Sequence, residues 1–251
     1  MVSERPAIVV TGGSRGIGAA TVRGLAAGGY DVALSYRQDA AAAERIAAQA
    51  TASGARCIAV QADVTREDDV ERLFASAAAE LGPVAGLVSN AGLTGHIGDL
   101  ADTPVKVIRR VIEVNLVGAV LCARAAARVM STSRGGAGGA IVHVSSAAAT
   151  LGSAHEYVHY AAAKAGLETL TVGLARELAG QGVRVNAVAP GIVDTEIHAA
   201  AGQPDRARTA AERIPLGRAA QPEEITPAIM WLLSAAAAYT TGAVIRVAGG
   251  L

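Results

Sequence analysis

Seven short apolar runs recur along the chain, and most are followed by a longer stretch with helical periodicity. The runs are "AIVVT" (Ala7–Thr11), "DVALSY" (Asp31–Tyr36), "RCIAVQAD" (Arg56–Asp63), "VAGLVSNAG" (Val84–Gly92), "AIVHVSS" (Ala140–Ser146), "VRVNAVAPG" (Val183–Gly191) and "AVIRVAGG" (Ala243–Gly250). Each is nearly continuous in apolar residues rather than alternating. That is the pattern of strands buried on both faces, as in a parallel sheet covered by helices. The intervening helical stretches include Asp39–Ser53, Arg66–Leu81 and Thr103–Met130, and a further one carries "HEYVHYAAAK" (His155–Lys164). Regular strand–helix alternation predicts an α/β fold: a doubly wound, seven-stranded parallel sheet in a single domain over residues 1–251. The glycine-rich piece Ser131–Ala140 reads as a loop feeding the fifth strand. Residues Ala201–Gly217 break the alternation after the sixth strand and are expected to form a mobile flap over the site.

Composition narrows the function classes. Hydrophobic residues make up 51% of the 251 residues and aromatics only 3%, so the core must be aliphatic. With 22 basic and 22 acidic residues the charge is balanced, which argues against a nucleic-acid or membrane-surface partner. Cys57 and Cys122 stand alone, without CxxC or metal-ligand spacing, and read as small buried hydrophobes suited to a reducing compartment. The first ten residues lack a basic segment followed by an apolar run, so no signal peptide is expected. The late apolar stretch Ala228–Val247 is interrupted by Ser234, Tyr239, Thr240, Thr241 and Gly242, and predicts helix, turn and strand rather than a membrane span. A soluble cytoplasmic protein is expected, with no metal.

Two places carry chemistry. "TGGSRGIG" (Thr11–Gly18) joins the first strand to the first helix, and its glycines allow close backbone approach where a helix N-terminus can meet a phosphate. At the end of the second strand, Leu34-Ser35-Tyr36-Arg37, no acid occupies the position that would bind a ribose 2′-hydroxyl. Arg37 and Arg15 suit a 2′-phosphate instead, so NADP(H) is expected over NAD(H). The second place is "HEYVHYAAAK". Hydride transfer to a carbonyl needs a positioned acid, and a tyrosine starts at a pKa of about 10. A cation one helical turn away can lower it, and Tyr160 and Lys164 have that spacing. Tyr157 shares their face but lies roughly 10 Å along the axis from Lys164. His159 is turned away, and His155 and Glu156 fall at or before the helix start, where Glu156 suits the helix dipole. Pocket or surface roles are expected for Tyr157, His155 and His159.

The glycine spacing TGxxxGxG, followed in order by "SNAG" (Ser89–Gly92), Asn115, "VSS" (Val144–Ser146), "YAAAK" (Tyr160–Lys164) and "PGIVDT" (Pro190–Thr195), resembles the short-chain dehydrogenase/reductase family over nearly the whole chain. The resemblance implies a Rossmann fold. It implies Tyr160 as general acid/base, Lys164 lowering its pKa and holding the nicotinamide ribose, and Ser146 bonding the substrate oxygen. Asn115 would position a proton-relaying water, the plainer reading being an amide that bends its helix. Ser145 is the alternative to Ser146. The cofactor would be held by Gly12, Ser14, Arg15, Gly16, Ile17 and Gly18, by Tyr36 and Arg37, by Asp63 and Val64, by Asn90, Ala91 and Gly92, by Tyr160 and Lys164, and by Pro190, Gly191, Val193 and Thr195. Asp63 could equally cap the following helix. Ser89 departs from the asparagine common there. A small carbonyl or alcohol is the expected substrate, against a 3-oxoacyl-carrier-protein reductase or a non-catalytic dinucleotide-binding sensor. A homotetramer is implied, through the fourth and fifth helices on one axis and the last helix and strand on another.

Overall fold

The structure is a computed structural model that describes residues 5–197, 201–203 and 205–251. Seven strands form one parallel sheet in the order β3-β2-β1-β4-β5-β6-β7. They are β1 (Ala7–Val10), β2 (Asp31–Tyr36), β3 (Cys57–Gln61), β4 (Val84–Ser89), β5 (Gly139–Val144), β6 (Val183–Pro190) and β7 (Val244–Val247). The doubly wound expectation holds. The order reverses between β1 and β4, which opens a crevice at the carboxyl ends of the strands.

Helices α1 (Gly16–Ala27) and α2 (Ala40–Ala52) cover one face of the sheet, and α3 (Glu67–Leu81) covers the other. The core is two aliphatic layers. One packs Val22, Leu25 and Ile46 with Ile225, Ile229 and Leu232 against β1, β2 and β5. The other packs Leu73, Phe74 and Ala77 with Cys122, Met130 and Leu178 against the opposite side. Small residues let the helices sit close: a Cβ on Gly24 would come within 2.7 Å of the Thr226 Cγ2 atom. Both cysteines are free, and burial pushes their thiols up to about 12, which leaves them unreactive. Among the described residues no helix is long and apolar enough to cross a membrane, and no cluster of metal-ligating side chains occurs.

Boundaries differ from the pattern in three informative places. The helix expected over Asp39–Ser53 has those two residues as its caps, and the Asp39 carboxylate accepts the Ala42 N–H at 2.9 Å. β3 ends before Asp63, which turns out of the sheet. The stretch expected as one helix over Thr103–Met130 is α4 (Val105–Ile112), a π turn (Glu113–Val117) and α5 (Gly118–Met130). The cause is Asn115, whose Nδ2 donates to the Val111 carbonyl at 2.8 Å and the Leu93 carbonyl at 2.7 Å, inserting a side chain into the helical ladder.

The chain continues through α6 (Ala148–Leu151) and α7 (Val158–Leu178) to β6. The segment expected as a mobile flap holds a short helix, α8 (Arg206–Thr209), and its described part is docked: Arg206 is buried, and the Leu216 N–H donates to the Gly249 carbonyl at 3.0 Å. α9 (Pro222–Leu233) then packs beside α1.

Candidate active site

A cavity of about 360 Å³ runs along the carboxyl ends of the strands, bordered by residues that follow β1 to β5 and by the end of β6 and the loop after it. Of the residues expected at the site, all but Gly18 border it. Gly18 lies behind the loop and acts by packing. A Cβ there would stand 2.2 Å from the Gly12 carbonyl oxygen and 2.6 Å from Asn90 Nδ2. Gly12 and Gly16 have φ of +63° and +52°, a region that only glycine enters freely. Thr11 and Asn90 lock the first and fourth strand ends together. The Thr11 hydroxyl accepts from the Asn90 and Ala91 N–H groups, and Asn90 Nδ2 donates to the Thr11 and Gly12 carbonyls at 3.0 and 3.1 Å. No side chain caps the N-terminus of α1, so its first N–H groups face the glycine loop unspent, which suits a pyrophosphate.

Tyr36 and Arg37 close β2 at the rim, with Arg37 exposed and donating to Gln38 Oε1 at 3.2 Å. Asp63 does not cap α3, whose N-cap is Arg66. Its Oδ1 accepts from both the N–H and the hydroxyl of Thr65, and its Oδ2 pairs with Arg110 at 2.9 Å. Burial pushes this carboxyl up, but Thr65 and Arg110 outweigh it and hold it below the ordinary range. Arg110 borders the cavity and was not singled out by sequence reading. One cation in "VIRRVIEV" looks like any solvated helix charge until β3 is set beside α4.

At the other end of the cavity stand Ser146, Tyr160 and Lys164. The buried Tyr160 hydroxyl bonds the Ser146 side chain, whereas the Ser145 hydroxyl donates to Glu168 Oε1 at 2.9 Å; Ser146 is the serine that faces the tyrosine. The Lys164 Nζ donates to the Val144 carbonyl at 2.7 Å and sits 5.7 Å from the centre of the Tyr160 ring. The expected lowering of the Tyr160 pKa by Lys164 is not what this packing produces. Burial drives the phenol above its ordinary value, and the Ser146 bond offsets only part of that. The ammonium lies over the ring rather than at the hydroxyl. Lys164 is itself brought down by burial to about 8.

Asn115 is buried behind these groups. Both its amide hydrogens are used on the Leu93 and Val111 carbonyls, and its Oδ1 accepts the Leu93 N–H at 3.3 Å. The side chain thus bends its own helix, as the plainer reading had it, and also fastens the loop after β4 to that helix. A Cβ on Gly92 would meet Asn115 Oδ1 at 2.7 Å, so this glycine is required by that junction.

The rest of "HEYVHYAAAK" sorts differently from its helical spacing. Tyr157 is the N-cap of α7, with φ of −154°, and borders the cavity with its ring 5.3 Å from that of Tyr160 in an edge-to-face contact. His159 is buried rather than on the surface, its Nε2 paired with the Thr94 carbonyl at 3.3 Å. His155 is exposed, has a left-handed φ of 60° and pairs with Asp99 at 2.8 Å. Glu156 pairs with Arg206 at 2.7 Å and Arg213 at 3.2 Å instead of serving the helix dipole.

A glycine cradle at a bare helix N-terminus, opening at a topological switch point onto a Ser–Tyr–Lys group, defines a dinucleotide-dependent oxidoreductase of Rossmann type. Residues 12–251 match a family model described as Enoyl-(Acyl carrier protein) reductase. The uncharacterized oxidoreductase YgfF of Escherichia coli strain K12 is 45% identical over 242 residues, covering 96% of this chain and 98% of that protein. The cis-4-hydroxycyclohexanecarboxylate dehydrogenase of Sinomonas cyclohexanicum is 45% identical over 249 residues, covering 99% and 96%. A crystal structure of a short-chain dehydrogenase from Burkholderia cenocepacia J2315 in complex with NADP superposes with a TM-score of 0.89 at 32% identity, covering 99% of this chain and 98% of that one. The chain belongs to the short-chain dehydrogenase/reductase family and is an NAD(P)-dependent enzyme of that family.

Proposed function

We propose that this enzyme interconverts a small carbonyl compound and its alcohol with NADP(H) as the preferred cofactor, through Ser146, Tyr160 and Lys164. The observation that carries the reading is the Ser146–Tyr160 bond at the cavity wall with Lys164 buried behind it. When bound, the dinucleotide supplies or removes the hydride. Tyr160 gives its phenolic proton to the substrate oxygen in reduction and takes it back in oxidation. Ser146 shares a bond with that phenol and orients the same oxygen. Lys164, with its Nζ 5.7 Å from the centre of the Tyr160 ring, would hold the nicotinamide ribose hydroxyls. Asn115 and Gly92 hold the loop after β4 in place. Gly12, Ser14, Gly16 and Ile17 cradle the pyrophosphate, with Gly18 packed behind them. Asp63, Val64, Asn90, Ala91 and Gly92 line the adenosine side, and Pro190, Gly191, Val193 and Thr195 line the nicotinamide side.

Arg15 and Arg37 at the rim, with no acid at Tyr36, support NADP(H), as does the NADP held by the Burkholderia relative. The dehydrogenase of a hydroxycyclohexane acid among the relatives supports a small alcohol as substrate. The description of the matched family favours a carrier-protein thioester as a second reading. The chain is read as one cytoplasmic domain that assembles as a homotetramer, supported by exposed Val117, Val120 and Val129 along the π turn and α5 and by Trp231, Tyr239 and Val244 near the C-terminus.

The test is NADPH consumption by wild type and Tyr160→Phe against a panel of small ketones and a 3-oxoacyl-carrier-protein thioester. Wild type should turn over a small ketone faster than the thioester. The variant should lose about a thousandfold or more in kcat while binding NADPH as before. Retained turnover in Tyr160→Phe would remove the tyrosine from its role.

A further inference from the structure

The substrate side of Tyr160 is enclosed by a small apolar cluster of its own: Tyr157, Val111, Ala148 and Ala161, with Leu93 and Ile97 packed against it. Tyr157 borders the cavity beside Tyr160 and Leu93. Behind Tyr157 sits Arg206, from the segment after β6. Its guanidinium carbon is 5.2 Å from the Tyr157 ring centre, and Nη2 donates to the Tyr157 hydroxyl at 3.0 Å and to Glu156 Oε2 at 2.7 Å. Nη1 reaches Gln203 Oε1 at 3.3 Å, and the other oxygen of Glu156 accepts from Arg213 at 3.2 Å. Arg206 is 8% exposed, so it is a buried cation matched by one carboxylate and one ring. An arginine this buried is held in one geometry, and it holds Tyr157 in turn.

We propose that Arg206 and Tyr157 are a specificity-determining pair. Arg206 positions the Tyr157 ring as the apolar wall beside Tyr160, and the wall selects a carbonyl or alcohol carried on an apolar ring or chain over a polyhydroxylated one. This rests on the proposed function and names the substrate class of the same site. The reason is the state of the polar groups around the wall. The Tyr157 hydroxyl accepts from Arg206 behind the ring, and the nearby polar side chains His155, Glu156 and His159 do not border the cavity, being paired with Asp99, with two arginines and with the Thr94 carbonyl. The wall therefore offers an aromatic face with few hydrogen-bonding groups, and a sugar lying against it would leave several hydroxyls unpaired, which disfavours its binding.

Steady-state kinetics in both directions test this, with cyclohexanol and an aldohexose as substrates for NADP and cyclohexanone for NADPH. Wild type should favour cyclohexanol over the aldohexose by about a hundredfold in kcat/KM. Arg206→Met should raise KM for the cyclic substrates by about tenfold with kcat and the KM for NADP little changed. Tyr157→Leu should do the same, and Arg206→Met should add nothing in the Tyr157→Leu background, because the arginine acts through the ring. Arg206→Met leaves Glu156 unpaired, so the Glu156→Gln/Arg206→Met double variant keeps the measurement available if the single variant folds poorly. A preference for the aldohexose, an unmoved KM, or effects of the two substitutions that multiply independently would each overturn the pair. A wild type that turns over neither class in either direction would overturn the proposed function itself, and this assignment with it.

Discussion

Gly18→Ala is the substitution whose outcome the structure determines most sharply. In a helix interior, alanine is favoured over glycine by about 1 kcal/mol. At Gly18 the new methyl would stand 2.2 Å from the Gly12 carbonyl oxygen and 3.0 Å from the Gly12 carbonyl carbon, both backbone atoms. Ordinary contact for such a pair is about 3.4 Å or more, so the loop and α1 must separate by roughly 1 Å. Overpacking of this kind costs about 1–3 kcal/mol. Asn90 Nδ2, 2.6 Å from the same methyl, would be displaced from the Thr11 and Gly12 carbonyls, and each such bond contributes about 1 kcal/mol. Set against the helix gain, the net loss is about 3 kcal/mol, or about 6–12 °C in Tm for a chain of this size. The dinucleotide cradle moves with the loop, so the Kd for NADPH should rise about tenfold or more. Gly180→Ala is the control, because a Cβ there meets nothing within 4 Å and should stabilise by about 0.4–1 kcal/mol. Thermal unfolding followed by circular dichroism, with a fluorescence titration of NADPH, reads both quantities. A Gly18→Ala protein that melts and binds like wild type would refute the steric reasoning.

Three further outcomes follow from specific contacts. Lys164 is brought down to about 8 by burial, so between pH 8 and its ordinary value of 10.5 the folded chain binds fewer protons than the unfolded one, and stability should rise with pH across that window. Denaturant unfolding should show this component in wild type and not in Lys164→Met, the slope being at most about 1.4 kcal/mol per pH unit; parallel curves for the two would show that Lys164 is not desolvated. Arg184 on β6 donates to the carbonyls of Leu232, Leu233 and Ser234 at the end of α9, so Arg184→Met should cost about 1–3 kcal/mol in a melting experiment, and an unchanged Tm would discount the cap. The kcat/KM ratio of NADPH to NADH should exceed about ten and fall toward one in Arg37→Ala; a wild-type preference for NADH would reverse the cofactor assignment.

The pattern of residues alone carried the strands, their parallel burial, the glycine turn and the four-residue spacing of Tyr160 and Lys164. These are local properties: a buried strand must be apolar throughout, and a helical turn sets which side chains share a face. The choice of Ser146 over Ser145 came from the resemblance to the family, and the structure adds that the Ser145 hydroxyl is turned to Glu168. What the pattern did not carry depends on segments far apart in sequence. Gly18 looked like a ligand-contacting glycine, yet its role comes from the Gly12 carbonyl and Asn90 pressed against it. Asp63 left two roles open until Arg110 and Thr65 stood beside it. Arg206 has no local signature at all; only the fold of the segment after β6 sets it on Tyr157. The direction of the Tyr160 pKa was misjudged from spacing for the same reason: desolvation sums over every side chain that excludes water, whichever part of the chain it comes from. The order of residues thus determined which groups are available for proton transfer and at what local spacing. Tertiary packing decided their electrostatic state and the wall they share, because burial and long-range contact do not exist until distant strands and helices are brought together.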